Sequence, residues 1–330
     1  MVTPFLEQKL QAYHDTYEQL KGALRWKVSD QRTLMMVASM YVVNNKPFHL
    51  QQFLKVSDYI KDNVGAFNTL KSSPRFTIGA MLDVYFDEPE KKFHELIEIY
   101  EQMVDERFSR GTSTYLAAQV LLGQKEEGNS IPIDRVMKVY KGMSSHHFFL
   151  TSSTDYPLAV LLAGRDGTVD KIMDHVEHFY KELSKNGFSK GNDLQFLSHI
   201  LSIDSETKPD ELVRQSIKIY DTFKTSWKRP KGMHYPLVGL LALLKDGENE
   251  VLTVLEASDR LGSEKPFRWH KDMNLIMAAN LTMSEKLDNP ALLGTGIYAA
   301  VDAIIQAQQA AMIAAVSAAT VVSSSGDGGS

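Results

Sequence analysis

The sequence predicts an all-α fold: about seven stacked helical hairpins with a 40-residue period, arranged as a HEAT-like α-solenoid. Three observations predict it. One phrase is written twice, DYPLAVLLA at residues 155–163 and HYPLVGLLA at 234–242, 79 residues apart and so nearly two periods of forty. Three ladders share that period: Tyr100, Tyr140, Tyr180 and Tyr220, with Tyr59 one step out of register; Phe67, Phe108, Phe148, Phe188, Trp227 and Phe267; and Met81, Leu121, Leu161, Leu201, Leu241 and Leu281. No long stretch alternates apolar and polar residues as a half-buried strand must.

The elements follow in order. A leading amphipathic helix is expected near residues 4–24, with Thr3-Pro4 as its cap. Each unit then opens with a short, strongly apolar helix, as in FTIGAMLDVYF, YLAAQVLLG or LQFLSHILS. A longer amphipathic helix follows, as in KKFHELIEIYEQMVDERF, where Phe93, Leu96, Ile97, Tyr100 and Val104 fall on one stripe; Val213, Ile217 and Tyr220 repeat it. Pro47, Pro89, Pro132, Pro209 and Pro290 stand where the second helix starts, because proline's missing N–H is unpaired there in any case. Gly111, Gly191 and Gly232 mark the return corners, read as helix ends. The aromatic ladders are read as wedges that set hairpin packing.

A hairpin of forty residues cannot bury both faces alone, so neighbours must stack. A closed α/α toroid is the alternative, since six or seven hairpins also suffice to close a ring. The expected organisation is an N-terminal helix over 1–30, hairpin repeats over 31–296, an alanine-rich capping helix over 297–322 and a flexible tail over 323–330. The segment 297–322 is long enough to span a bilayer, but Asp302, Gln306, Gln308 and Gln309 interrupt it, which favours a cap and disfavours a membrane role.

Composition narrows function. The chain has 330 residues, 43% of them hydrophobic and 23% charged, with a net charge of −5, which argues against general nucleic-acid binding. It has no cysteine, so disulfides, thiol catalysis and cysteine–zinc sites are excluded and a cytoplasmic setting is expected. The first twenty residues carry charges throughout and lack an apolar signal core, which argues against secretion.

Candidate chemistry is sparse. His175 and His178 lie one helical turn apart near Asp174 and Glu182, but no second ExxH joins them, so they are read as surface or groove positions rather than metal ligands. His146-His147, in SSHHFFLTSST, has no GxSxG partner and reads as a solvated loop. DGTVD and DGENE lack the spacing of a calcium loop and read as turns. No catalytic, cofactor or metal residues are assigned.

Charge shows more order. The turns within hairpins are acidic (Asp87, Glu88, Glu126, Glu127, Asp204, Glu206, Asp246, Glu248), and the return corners are basic. Helix-end preference accounts for much of this, because acids favour helix starts and bases helix ends. A basic rim of Arg110, Lys190, Lys228, Arg229, Lys231 and Lys271 is the candidate partner-binding feature.

The tyrosine pattern followed by FSRGTSTYLAA or GFSKGNDLQFL, together with the AQQAAMIAA tail, resembles an uncharacterised family of Gram-positive bacterial proteins, known as a domain of unknown function numbered four thousand and three. The resemblance implies a cytosolic bacterial protein with an all-α fold and supplies no catalytic residues. The expected function is a non-enzymatic interaction scaffold with a protein partner; the alternative is an enzyme with its site in the mouth of an α/α toroid, marked by a deep pocket where carboxylates or histidines from different units converge.

Overall fold

The computed structural model describes residues 2–147, 149–244 and 246–287. Phe148, Pro290, the alanine-rich segment 297–322 and the tail 323–330 lie outside the described residues. Within them the chain is all-α, with fourteen helices and no strand. A leading helix α1 (Pro4–Leu24) precedes α2 (Gln31–Val43) and α3 (Leu50–Asp62), α4 (Pro74–Tyr85) and α5 (Pro89–Asp105), α6 (Thr112–Glu126) and α7 (Ile133–His146), α8 (Tyr156–Ala163) and α9 (Val169–Lys185), α10 (Asn192–Ile203) and α11 (Pro209–Ser226), α12 (Tyr235–Ala242) and α13 (Glu250–Ser263). The last described helix is α14 (Lys271–Leu287).

The described residues divide into two compact units, one holding 11–137 and 153–160, the other 2–10, 138–152 and 161–287. Within the first, α2, α4 and α6 pack in succession and α3 packs on α4 and α5. Within the second, α10, α12 and α14 form one layer and α9, α11 and α13 the other. Two layers of antiparallel helices is the arrangement the repeat requires.

The short and long helices differ as their patterns dictate. In α2 every residue from Leu34 to Val43 is buried, and in α4 every residue from Arg75 to Val84, so these helices are enclosed all round. The long helices bury one stripe. In α5 it is Phe93, Leu96, Tyr100 and Met103; Ile97 and Val104, expected on it, are only half-buried, because the 3.6-residue turn carries the stripe through Met103 instead.

Local signals set the ends. The Thr3 hydroxyl accepts from the Leu6 N–H at 3.0 Å, capping α1 as expected. Asp30 and Thr168 cap α2 and α9 in the same way, and Pro89 and Pro209 occupy the first turns of α5 and α11. In the second unit the start of α1 is fixed to α13 and α14: Lys9 donates to the Ser284 hydroxyl at 2.9 Å and Glu7 pairs with Arg260.

The ladders sort by kind. Met81, Leu121, Leu161, Leu201, Leu241 and Leu281 are all buried. Phe108, Phe188 and Phe267 are buried and Trp227 half-buried, but Phe67 stands wholly in solvent. That wedge position is filled instead by Leu70, fully buried on a short 3-10 turn of the longer α3–α4 corner.

Candidate functional site: the return-corner edge and two inter-hairpin clefts

Each return corner leads from a long helix to the next short one. Gly111 and Gly191, read from sequence as helix ends, instead immediately precede α6 and α10, with φ of +149° and +148°. A side chain would be strained there. Each glycine N–H donates to the tyrosine at the end of the preceding long helix, Gly111 to Tyr100 at 3.3 Å and Gly191 to Tyr180 at 3.2 Å. A second tyrosine arrives from the following hairpin: Ser109 N–H donates to the Tyr156 hydroxyl at 3.3 Å, and Ser189 N–H to that of Tyr235 at 2.8 Å. Phe108 and Phe188 meet the same tyrosines edge-on, with centroids 4.8 and 5.0 Å apart. These ladder residues therefore fasten corners, supplying acceptors to N–H groups that a helix start leaves unpaired.

The rim residues separate into two roles. In the first unit Arg110 forks onto Glu101 at 3.0 and 2.8 Å. In the second, Arg229 donates to the Tyr220 hydroxyl at 2.9 Å and to the Gly187 carbonyl at 3.1 Å, and Lys231 pairs with Asp272 at 2.6 Å. Those bonds stitch three successive corners, near residues 187, 230 and 270, into one edge. Gly232 packs so tightly on Asp193 that a Cβ would fall 2.0 Å from its carboxylate oxygen. Lys190, Lys228 and Lys271 point outward and form no ion pair among the described residues; Lys228 lies 3.9 Å over the Trp227 ring.

Beneath this edge, burial pushes the His234 imidazole down to about 4, against the pull of Asp272. Its Nδ1 accepts the Lys231 N–H at 3.2 Å, and Nε2 lies 3.2 Å from Asp272 Oδ1. Burial raises the Asp272 carboxyl, but Lys231, His234 and Lys228 outweigh it and hold the group below the usual range.

Sequence reasoning missed the apolar part of this edge. Trp269 is 79% exposed, Met233 41% and Phe149 95%, all in return corners of the second unit. In the first unit Trp26 and Phe67 stand out of return corners as well. A signal was available: each of the chain's three tryptophans adjoins a cation (Arg25-Trp26, Trp227-Lys228, Arg268-Trp269), and in each pair the cation stacks on the ring.

Each unit also holds a cleft between successive long helices. The cleft of the first unit, about 660 Å³, is lined by Glu95, Glu98, Asp105, Glu106, Asp134 and Lys125 among others. The cleft of the second, about 890 Å³, is lined by Arg165, His175, His178, Ser205, Asp210 and Arg214 among others. Arg165 donates to His175 Nδ1 at 2.9 Å, so that ring keeps its proton on Nε2; burial and then Arg165 push it down to about 4. His178 Nε2 lies 3.3 Å from Asp210 Oδ1. Among the described residues no three His, Asp or Glu side chains are placed to hold one metal ion. His147, expected in a solvated loop, is largely buried, with Nε2 2.6 Å from Glu177 Oε1.

Fold and edge together define a helical-hairpin repeat protein with fastened corners. The family described as "Protein of unknown function (DUF4003)" matches residues 16–310, and the chain belongs to it. It is 40% identical to the uncharacterized protein YeaA of Bacillus subtilis (strain 168), over 99% of this chain and 100% of that protein. No solved structure matches it. No described helix is long and apolar enough to cross a membrane.

Proposed function

We propose that the repeats form a non-enzymatic interaction scaffold whose basic return-corner edge docks an acidic partner. The observation that supports it is the continuous edge of the second unit, where Arg229 and Lys231 bind successive corners together and leave Lys190, Lys228 and Lys271 facing outward. Such an edge attracts negative surfaces and speeds encounter in a salt-dependent way. The test is titration of a fluorescein-labelled peptide of alternating glutamate and tyrosine. Binding should weaken about ten-fold in K190E/K228E/K271E with the thermal midpoint unchanged. Equal binding by parent and variant at low salt refutes the reading.

One observation favours an enzymatic alternative: the cleft that brings His175, His178 and Asp210 together from neighbouring hairpins. A neutral imidazole beside a histidine–aspartate pair suits proton transfer.

A further inference from the structure

Exposed apolar side chains are unevenly placed on this protein. Among the described residues seven large ones are exposed, and five of them (Trp26, Phe67, Phe149, Met233 and Trp269) lie in return corners. Phe5 and Leu252 lie on helices, and the turns within hairpins carry none. Isolated exposed apolar residues need no explanation, but the gathering of five of the seven in one kind of corner does.

Return corners of the second unit also carry the outward cations Lys190, Lys228 and Arg268, with Lys271 at the start of α14, none in an ion pair among the described residues. The turns at the opposite ends of the hairpins are acidic, with Asp204, Glu206, Asp246 and Glu248. Within the second unit, then, a basic, aromatic-tipped edge lies opposite acidic turns, on a chain of net charge −5.

Resting on the docking role proposed above, we propose that this edge seats peripherally on an anionic lipid bilayer, Phe149, Met233 and Trp269 entering the headgroup layer and the four cations facing lipid phosphates. The alternative is an acidic protein. Protein hot spots gather in a packed central patch ringed by other contacts. Here the exposed apolar groups stand in separate corners, as interfacial anchors do, and tryptophan with lysine or arginine is the residue pair that bilayer interfaces favour. No spanning helix is required, since binding of this kind grows from shallow apolar insertion plus attraction to anionic lipid.

Flotation of the full chain with phosphatidylglycerol–phosphatidylcholine vesicles tests the inference, against phosphatidylcholine alone and at high salt. Binding should appear only with the anionic vesicles at low salt. It should fall about ten-fold in F149A/W269A and again in K190E/K228E/R268E/K271E, both keeping the parent's thermal midpoint. Absence of flotation with anionic vesicles, or flotation that neither variant alters, overturns it. If the acidic peptide still binds the parent and not K190E/K228E/K271E, the docking role stands and the occupant is a protein; if the peptide too is indifferent to the charges, both readings fail.

Discussion

The two clefts share a backbone and differ in chemistry. They are related by 80 residues, two hairpins: Glu95 and Glu98 on α5 correspond to His175 and His178 on α9, and Lys125 and Asp134 correspond to Ser205 and Arg214, all lining their respective clefts. In the first unit Glu95 is held below the usual carboxylate range by its bond from Lys92, which also reaches Glu126 at 2.7 Å. In the second, the corresponding place holds a neutral imidazole bonded to an arginine. The repeat therefore fixes where a cleft opens and leaves its lining free to diverge. The larger period is the truer one, because FSRG and FSKG, and DYPL and HYPL, also recur after about 80 residues.

If the framework is shared, breaking it should cost the same on both sides. Leu121→Ala and Leu201→Ala should each destabilise by about 2–5 kcal/mol, read from urea midpoints, and the fully buried Leu201 should lie at the upper end. A loss below about 1 kcal/mol at either site would separate the two regions at the level of the core.

The corner fasteners should break more gently. Tyr100→Phe and Tyr180→Phe each remove the hydroxyl that accepts a glycine N–H, and should cost about 0.5–1.5 kcal/mol. Faster amide exchange at Gly111 and Gly191 in these variants would show that the hydroxyl is what holds the corner.

Acid should separate the clefts by pH. His175 has a folded pKa depressed to about 4, so the unfolded chain takes up a proton first, and stability falls as pH drops from about 6.5 to about 4. Glu95 is also depressed, but its contribution is present above the unfolded value and is lost only as pH falls through the lower carboxylate range. His175→Gln should therefore flatten the thermal midpoint between pH 6.5 and 4, the rest of that slope belonging to His234 and the fully buried His199. Glu95→Gln should lower the midpoint by a constant amount above about pH 4.5, the difference from the parent fading only as pH falls through the lower carboxylate range. The smallest effect belongs to Arg110→Ala, which breaks an exposed pair and should leave the thermal midpoint almost unchanged.

How much was legible in the sequence depended on what each residue answers to. The apolar ladder from Met81 to Leu281 translated directly into buried positions, because burial of a helix face is dictated by spacing. Phe67 failed because the α3–α4 corner is longer and its 3-10 turn swings Leu70 into the wedge, a choice made by loop length rather than by period. Gly111 and Gly191 were placed in the right corners with the wrong duty, since a tyrosine eleven residues earlier, not the helix end, decides their backbone. The basic rim was visible as charge, but the division between Arg229 and Lys231, which stitch, and Lys190, which faces solvent, depends on partners about forty residues away. His175 and His178 read as surface or groove positions because no second ExxH joins them, and they line the cleft of the second unit; that Glu95 and Glu98 hold the equivalent places shows only at a spacing of 80 residues.

The corner tyrosines also bear on the order of assembly. The Tyr100–Gly111 and Tyr180–Gly191 bonds span eleven residues, whereas Ser109–Tyr156 spans 47 and Ser189–Tyr235 spans 46. The short-range bond closes a corner while its own helices form, and the long-range one can close only after the next hairpin has docked. Local loops close fastest, so each corner should close before the hairpin that completes it docks.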